Sequence, residues 1–230
     1  MDKEEIMKRL GGNVTEEELM KLFSPKPKKQ KKRQTHKGER AEDYMGQREP
    51  DRTFTEDEIR EFCTVARSDR RDMWTCIITM SGTGMRPFET LSLKPFMLGF
   101  PRAQFTEIRG KQGKKREIPF HDRLWAELHA YIKEEKLERD QILFDFNIRT
   151  LQRHVKKYAD EVGIKWIATP YSCRDYFATR FSAMRGEGLR PVVILKAIMG
   201  HNLFPNERYV KITPEEKIEA VNAVFKDLIL

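Results

Sequence analysis

Cysteine is scarce in this chain, with three in 230 residues, and none has the CxxC spacing of a zinc site or a partner set for a disulfide framework. Cys63, Cys76 and Cys173 sit in apolar or helical surroundings and are expected to be buried thiols. Long hydrophobic runs are missing too. None approaches the ~20 residues needed to span a bilayer, and the opening "MDKEEIMKRL" lacks the apolar centre of a signal peptide. A cytoplasmic location with no membrane partner is expected. No GxxxxGK[ST] loop is present, which argues against nucleotide hydrolysis. No HxxxH spacing and no Asp/Glu cluster stand out, so neither a metal nor a cofactor is expected. Negative charge is in deficit: 44 Lys and Arg face 36 Asp and Glu, for a net charge of +8. That balance favours a polyanionic partner, nucleic acid before anionic membrane.

The chain divides into three parts. Residues 1–23 read as a short helical segment, with Thr15 and Glu18 as a capping box ahead of Leu19, Met20, Leu22 and Phe23. Residues 24–52 read as a flexible basic linker. Within it "SPKPKKQKKRQTHKGER" carries eight Lys/Arg against one Glu and cannot bury enough surface to fold. Lys26, Lys28, Lys29, Lys31, Lys32 and Arg33 are there either as a solvated spacer or as an arm on DNA phosphates, two compatible roles. Residues 53–230 carry the patterns of a folded domain. A helix starts at the Thr55/Glu58 capping box, with Ile59, Phe62, Cys63 and Ala66 on one face. A second runs through "MWTCIITM" (73–80), and a Gly-broken turn follows with Pro87 suited to a helix's first turn. "QFTEIR" (104–109) and "KREIPF" (115–120) flank a polar turn and read as a β-hairpin. Helical stripes follow at Leu124, Leu128, Tyr131 and Ile132, at Leu151, Val155, Tyr158, Ala159 and Val162, and at Ile218, Val221, Val224, Phe225 and Leu228. The expected fold is mainly α with one small antiparallel sheet, of α+β class.

Basic residues gather at the junctions between these elements: Arg86 after a Gly turn, Lys111 in the hairpin tip, Arg174 in "TPYSCRDYFATR" and His201 after Gly200, with Tyr209 behind them. Singly, each has an ordinary structural explanation. In this order, "TGMRPFETLSL", "GKQGKKREIPF", "TPYSCRDYFATRF" and "IMGHNLFPNERYVKI" resemble the four signature boxes of the tyrosine recombinases, the phage-type integrases, over roughly Thr53 to Leu230. The resemblance implies a recombinase catalytic domain in which Arg86, Lys111, Arg174 and His201 surround the scissile phosphate and Tyr209 is the nucleophile. It implies a site-specific recombinase or integrase, of a mobile element, that cuts and rejoins double-stranded DNA through a 3′-phosphotyrosyl link and self-associates on DNA.

These residue types suit that chemistry. Two guanidiniums grip non-bridging phosphate oxygens and hold the charge of a pentacovalent transition state. A phenol of pKa near 10 needs cationic surroundings or a base to attack near neutral pH. A lysine supplies the leaving oxygen with a proton. Lys114, Lys115 and Arg116 are expected to touch DNA, and Lys114 and Lys115 are alternatives to Lys111. Two features depart from the family. Tyr171 stands where its members usually have His, three residues before Arg174, and the interval from His201 to Tyr209 is about one residue short. A phenol still donates a hydrogen bond to phosphate but is a poor base at neutral pH, so Tyr171 counts as a site residue whose proton route differs. The family's N-terminal DNA clamp is expected to be absent or reduced. A type IB topoisomerase-like nicking and closing enzyme and a non-catalytic DNA-binding protein on the same fold are the competing readings. The C-terminal helix is expected to dock either on its own domain or on a neighbouring protomer.

Overall fold

Thr55 caps the first helix as its sequence predicts. Its hydroxyl accepts from the Glu58 amide at 3.2 Å, and the Glu58 carboxylate accepts from the Thr55 amide at 2.8 Å. That helix, α1 (Glu56–Asp69), places Ile59, Phe62, Cys63 and Ala66 in the core. In the computed structural model, residues 53–99, 102–109, 115–185, 189–202 and 210–225 are described, all within one unit spanning Arg48–Leu230. The helical segment 1–23, the basic linker with Lys26, Lys28, Lys29, Lys31, Lys32 and Arg33, and also Lys111, Lys114 and Tyr209 lie outside the described residues.

Helix α2 (Arg71–Thr83) runs through the centre, and every residue from Met73 to Thr83 is buried. The sequence shows why. Trp74, Ile77, Ile78 and Met80 are apolar all round rather than on one stripe, and Thr75, Thr79 and Thr83 return their hydroxyls to carbonyls one turn back. The helix extends three residues past the predicted stretch and ends at Gly84, whose φ of 67° a side chain rarely adopts. A Cβ there would meet Phe177 at 2.6 Å. Pro87 then takes the first turn of the short helix α3 (Pro87–Leu91).

A 3₁₀ turn (Pro95–Met97) leads to strands β1 (Phe105–Arg109) and β2 (Lys115–Pro119). They pair antiparallel in the register Phe105↔Pro119 to Arg109↔Lys115, the expected hairpin. Helix α4 (Asp122–Glu134) buries Leu124, Leu128 and Tyr131. Helix α5 (Ile148–Glu161), capped by Asn147, buries Leu151, Val155, Tyr158 and Ala159. Helices α6 (Pro170–Arg185) and α7 (Leu189–Met199) follow, and α6 packs along α2.

Helix α8 (Pro214–Phe225) starts at a Thr213/Glu216 capping box. Ala220, Val221, Val224 and Phe225 are fully buried, against α2, α6, α7 and β2 of the same chain. Of the two docking modes expected for this helix, the structure has the one on its own domain. The three cysteines are buried free thiols, as expected, and burial pushes the thiols of Cys63, Cys76 and Cys173 upward. No helix among the described residues is long and apolar enough to cross a membrane.

Candidate active site

Arg86 stands at the N-cap of α3, where the Gly84 turn and Pro87 fix its backbone in an extended conformation. The i+3 residue, Glu89, faces back toward it. The Arg86 amide donates to Glu89 Oε2 at 2.8 Å, and Arg86 Nη1 donates to Oε1 at 3.1 Å. Glu89 is 1% exposed, a buried carboxylate that requires cationic partners. A second guanidinium supplies one: Arg116 Nη2 donates to Glu89 Oε2 at 2.5 Å. Burial raises the Glu89 pKa, but the bonds from Arg116 and the Arg86 amide outweigh it and hold the carboxyl below its usual range.

Arg174, on the inward face of α6, is 4% exposed and has a different set of partners. Its Nη1 donates to the Gly84 carbonyl, and its Nη2 donates to the Met199 carbonyl at 2.8 Å and meets His201 Nε2 at 3.2 Å. Carbonyls orient a guanidinium without cancelling its charge. Burial, with Arg86 and Arg116 nearby, lowers its pKa to about 10, so it remains cationic at neutral pH.

His201 follows the C-terminal end of α7, where Gly200 turns the chain at φ 70° and the His201 amide donates to the Lys196 carbonyl at 2.9 Å. Burial lowers the His201 pKa, and Arg174, Arg86, Arg116 and Lys196 lower it further. Arg174 has only donors, so Nε2 of the neutral ring accepts and the proton lies on Nδ1. Three stretches far apart in sequence thus meet in one cationic pocket: the Arg86 turn, the Arg174 helix and the His201 turn. The positive charge of such a pocket suits an anionic ligand such as a phosphate.

Of the other expected site residues, Tyr171 is 43% exposed on the first turn of α6, one turn before Arg174. Lys115 pairs across the hairpin with Glu107 at 2.8 Å. Arg116, expected to face DNA, turns inward instead, its side chain 9% exposed and held by Glu89. The cause is the pleat: Arg116 lies on the same face of β2 as the buried Ile118 and opposite the buried Ile108. That alternation was a usable signal, as was the position of Glu89 three residues after Arg86, yet neither Glu89 nor the inward role of Arg116 was anticipated. Tyr131, Tyr158 and Tyr176 belong to the core, and the phenols of Tyr131 and Tyr158 are pushed upward, chiefly by burial.

The fold, mainly helical with one small antiparallel sheet, is that of the integrase-type domains. Residues 52–211 match the phage integrase family, and the chain belongs to it. It is similar to the tyrosine recombinase XerA of Pyrococcus horikoshii, with 29% identity over 179 residues, 74% of this chain and 60% of that protein. The chain therefore spans about three fifths of the length of that relative. Its fold is similar to that of the integrase from mycobacterium phage Brujita, with a TM-score of 0.58 and 16% identity over 75% of this chain and 57% of that one. It is also similar in fold to the XerH site-specific recombinase bound to its difH substrate, with a TM-score of 0.53 and 20% identity over 68% of this chain and 49% of that one.

Proposed function

We propose that this protein is a site-specific DNA recombinase that breaks and rejoins strands of double-stranded DNA, with Tyr209 as nucleophile. The observation that carries this reading is the convergence of Arg86, Arg174 and His201 on one pocket, with Arg174 bonded to the His201 ring and to the Gly84 turn. The Arg86 and Arg174 guanidiniums supply positive charge and N–H donors to the phosphate oxygens, and the neutral His201, its Nε2 turned to Arg174, is set to donate to the phosphate from Nδ1. Tyr209 Oη bonds to phosphorus while the bond from phosphorus to the 5′ oxygen breaks. The phenol proton passes to a base or to water, and Lys111 gives a proton to the leaving oxygen. Attack by a 5′-hydroxyl reverses these steps and reseals the strand, so no high-energy cofactor is consumed. The family membership supports this reading. Tyr171, on Arg174's helix, adds a hydroxyl donor to phosphate, and an assembly of two or four protomers on DNA completes strand exchange.

Tyr171 also favours a second reading, a non-catalytic DNA-binding protein, because a phenol replaces an imidazole there. One experiment decides. A duplex selected for binding from a random pool, nicked near its centre, is incubated with the protein and resolved under denaturing conditions. A covalent adduct that disappears with Tyr209→Phe supports the proposal. Binding without any adduct favours the second reading, and an adduct lost with Tyr171→Phe but kept in Tyr209→Phe moves the nucleophile to Tyr171.

A further inference from the structure

We propose that Arg116 is a positioning residue for this chemistry: it shares the Glu89 carboxylate with Arg86, and so leaves part of the Arg86 charge uncompensated, while it pins the backbone turn that presents His201. The inference rests on the recombinase reading of the pocket.

Glu89 is one carboxylate between two guanidiniums, with Oε1 facing Arg86 and Oε2 accepting from Arg116. A buried carboxylate paired with Arg86 alone would offset the whole of its charge. Arg86, Arg116 and Arg174 carry three positive charges against the single negative charge of Glu89, a balance of +2 for these four side chains. Without Arg116 the balance falls to +1.

The rest of the Arg116 side chain attends to His201. Its Nε donates to the Ile198 carbonyl at 3.0 Å, in the last turn of α7. Its guanidinium lies against Gly200, where an added Cβ would approach Nη1 at 2.9 Å and Nε at 3.0 Å. Gly200 turns at φ 70° directly before His201, so no other residue lets the guanidinium this close to that peptide. Arg116 belongs to β2. One side chain therefore ties the Arg86 turn and the His201 turn to the hairpin.

The test is a charge cycle on the full chain, with the selected nicked duplex as substrate and ¹⁵N-histidine NMR as a second readout. Arg116→Met is expected to slow adduct formation by roughly tenfold or more, the scale of losing electrostatic support at a developing charge, and to change duplex binding less than threefold. Arg116→Met combined with Glu89→Gln restores the net charge to +2 and is expected to recover most of the rate. Arg116→Lys keeps the charge and is expected to cleave faster than Arg116→Met. The His201 pKa should rise in Arg116→Met and fall back in the double variant. A double variant as slow as the single one, or slower, leaves Arg116 a packing residue and overturns the proposal. A salt dependence of binding that flattens by about one unit in Arg116→Met also overturns it, because that is the mark of a direct phosphate contact. Should Arg116→Met not fold, Arg116→Lys and the double variant still decide, since packing alone predicts no rate recovery from removing the Glu89 charge. Should the wild type form no adduct, the recombinase reading fails, and the His201 titration alone judges Arg116: an unmoved pKa across the cycle overturns it.

Discussion

Arg86 and Arg174, two of the three arginines in the pocket, are held in opposite ways. Arg86 lies at a helix start, its side chain 27% exposed and tied to a buried carboxylate. Arg174 lies inside a long helix, almost wholly buried, and its described partners are carbonyl oxygens and an imidazole. Anchoring by a carboxylate fixes direction and cancels part of the charge. Anchoring by carbonyls fixes direction and leaves the charge whole, at the cost of desolvation. On the proposed recombinase reading, this difference gives Arg174 the larger share of transition-state stabilisation and Arg86 the orientation of the phosphate.

The largest expected effect follows from that ranking. Arg174→Ala should lower adduct formation by about 10³, and Arg86→Ala by about 10², the range found when one donor to a developing anion is lost. Arg174→Lys should be nearly as poor as Ala, because one ammonium cannot reach the Gly84 carbonyl, the Met199 carbonyl and His201 together. Single-turnover rates on the nicked duplex give the comparison. Equal losses at the two positions would break it.

A smaller effect concerns stability. Removing the Glu89 charge with Glu89→Gln leaves two guanidiniums short of their shared partner and should cost about 3 kcal/mol at pH 7, the low end for breaking a buried pair. The pH dependence has a definite sign. Glu89 has a folded pKa below its unfolded value, so its contribution is complete above the unfolded value of about 4.3 and is lost as pH falls through the folded one. The gap between wild type and Glu89→Gln in urea unfolding should therefore be constant from pH 7 to about 5 and narrow below that. A gap that stays constant at lower pH would mean that the carboxylate contributes shape rather than charge.

How much of this was legible beforehand depends on the range of the interaction. Capping boxes at Thr55/Glu58 and Thr213/Glu216, the Pro87 start and the Leu151–Val155–Tyr158–Ala159 stripe act within one or two turns, and the sequence displays them directly. The hairpin was legible for the same reason, as two alternating runs around a polar turn. Arg86, Arg174 and His201 could be picked out because each falls in a recognisable box, although only Arg86 and His201 stand at junctions and Arg174 lies inside a helix. Their wiring could not: Arg174 reaches Gly84 across 90 residues, and Arg116 reaches Ile198 across 82. A string "KKRE" looks uniformly solvated, and only the pleat of β2, with Ile108 opposite, separates the inward Arg116 from the outward Lys115.

The smallest effect comes from a control for carboxylate anchoring. Asp69 resembles Glu89 in being shared by two residues, with Lys157 Nζ at 2.8 Å and the Tyr158 hydroxyl at 2.7 Å. Those bonds hold its carboxyl below the usual range. It differs in place, joining α1 to α5 rather than lying beside Arg86 and Arg116. Tyr158→Phe deletes one donor without changing the packed ring, whose edge meets Phe62 at a centroid distance of 6.0 Å. The loss should be about 1 kcal/mol, the net value of one hydrogen bond, tempered by the water that reaches Asp69. Adduct formation should stay within twofold, because no atom of this pair touches Arg86, Arg174 or His201. The same variant removes a phenol from the competition for nucleophile, since Tyr158 is buried and its hydroxyl is committed to Asp69. Thermal unfolding and the nicked-duplex assay read the two halves separately. A Tyr158→Phe protein of unchanged stability that no longer forms an adduct would place the reacting tyrosine on α5 and undo the assignment of the pocket.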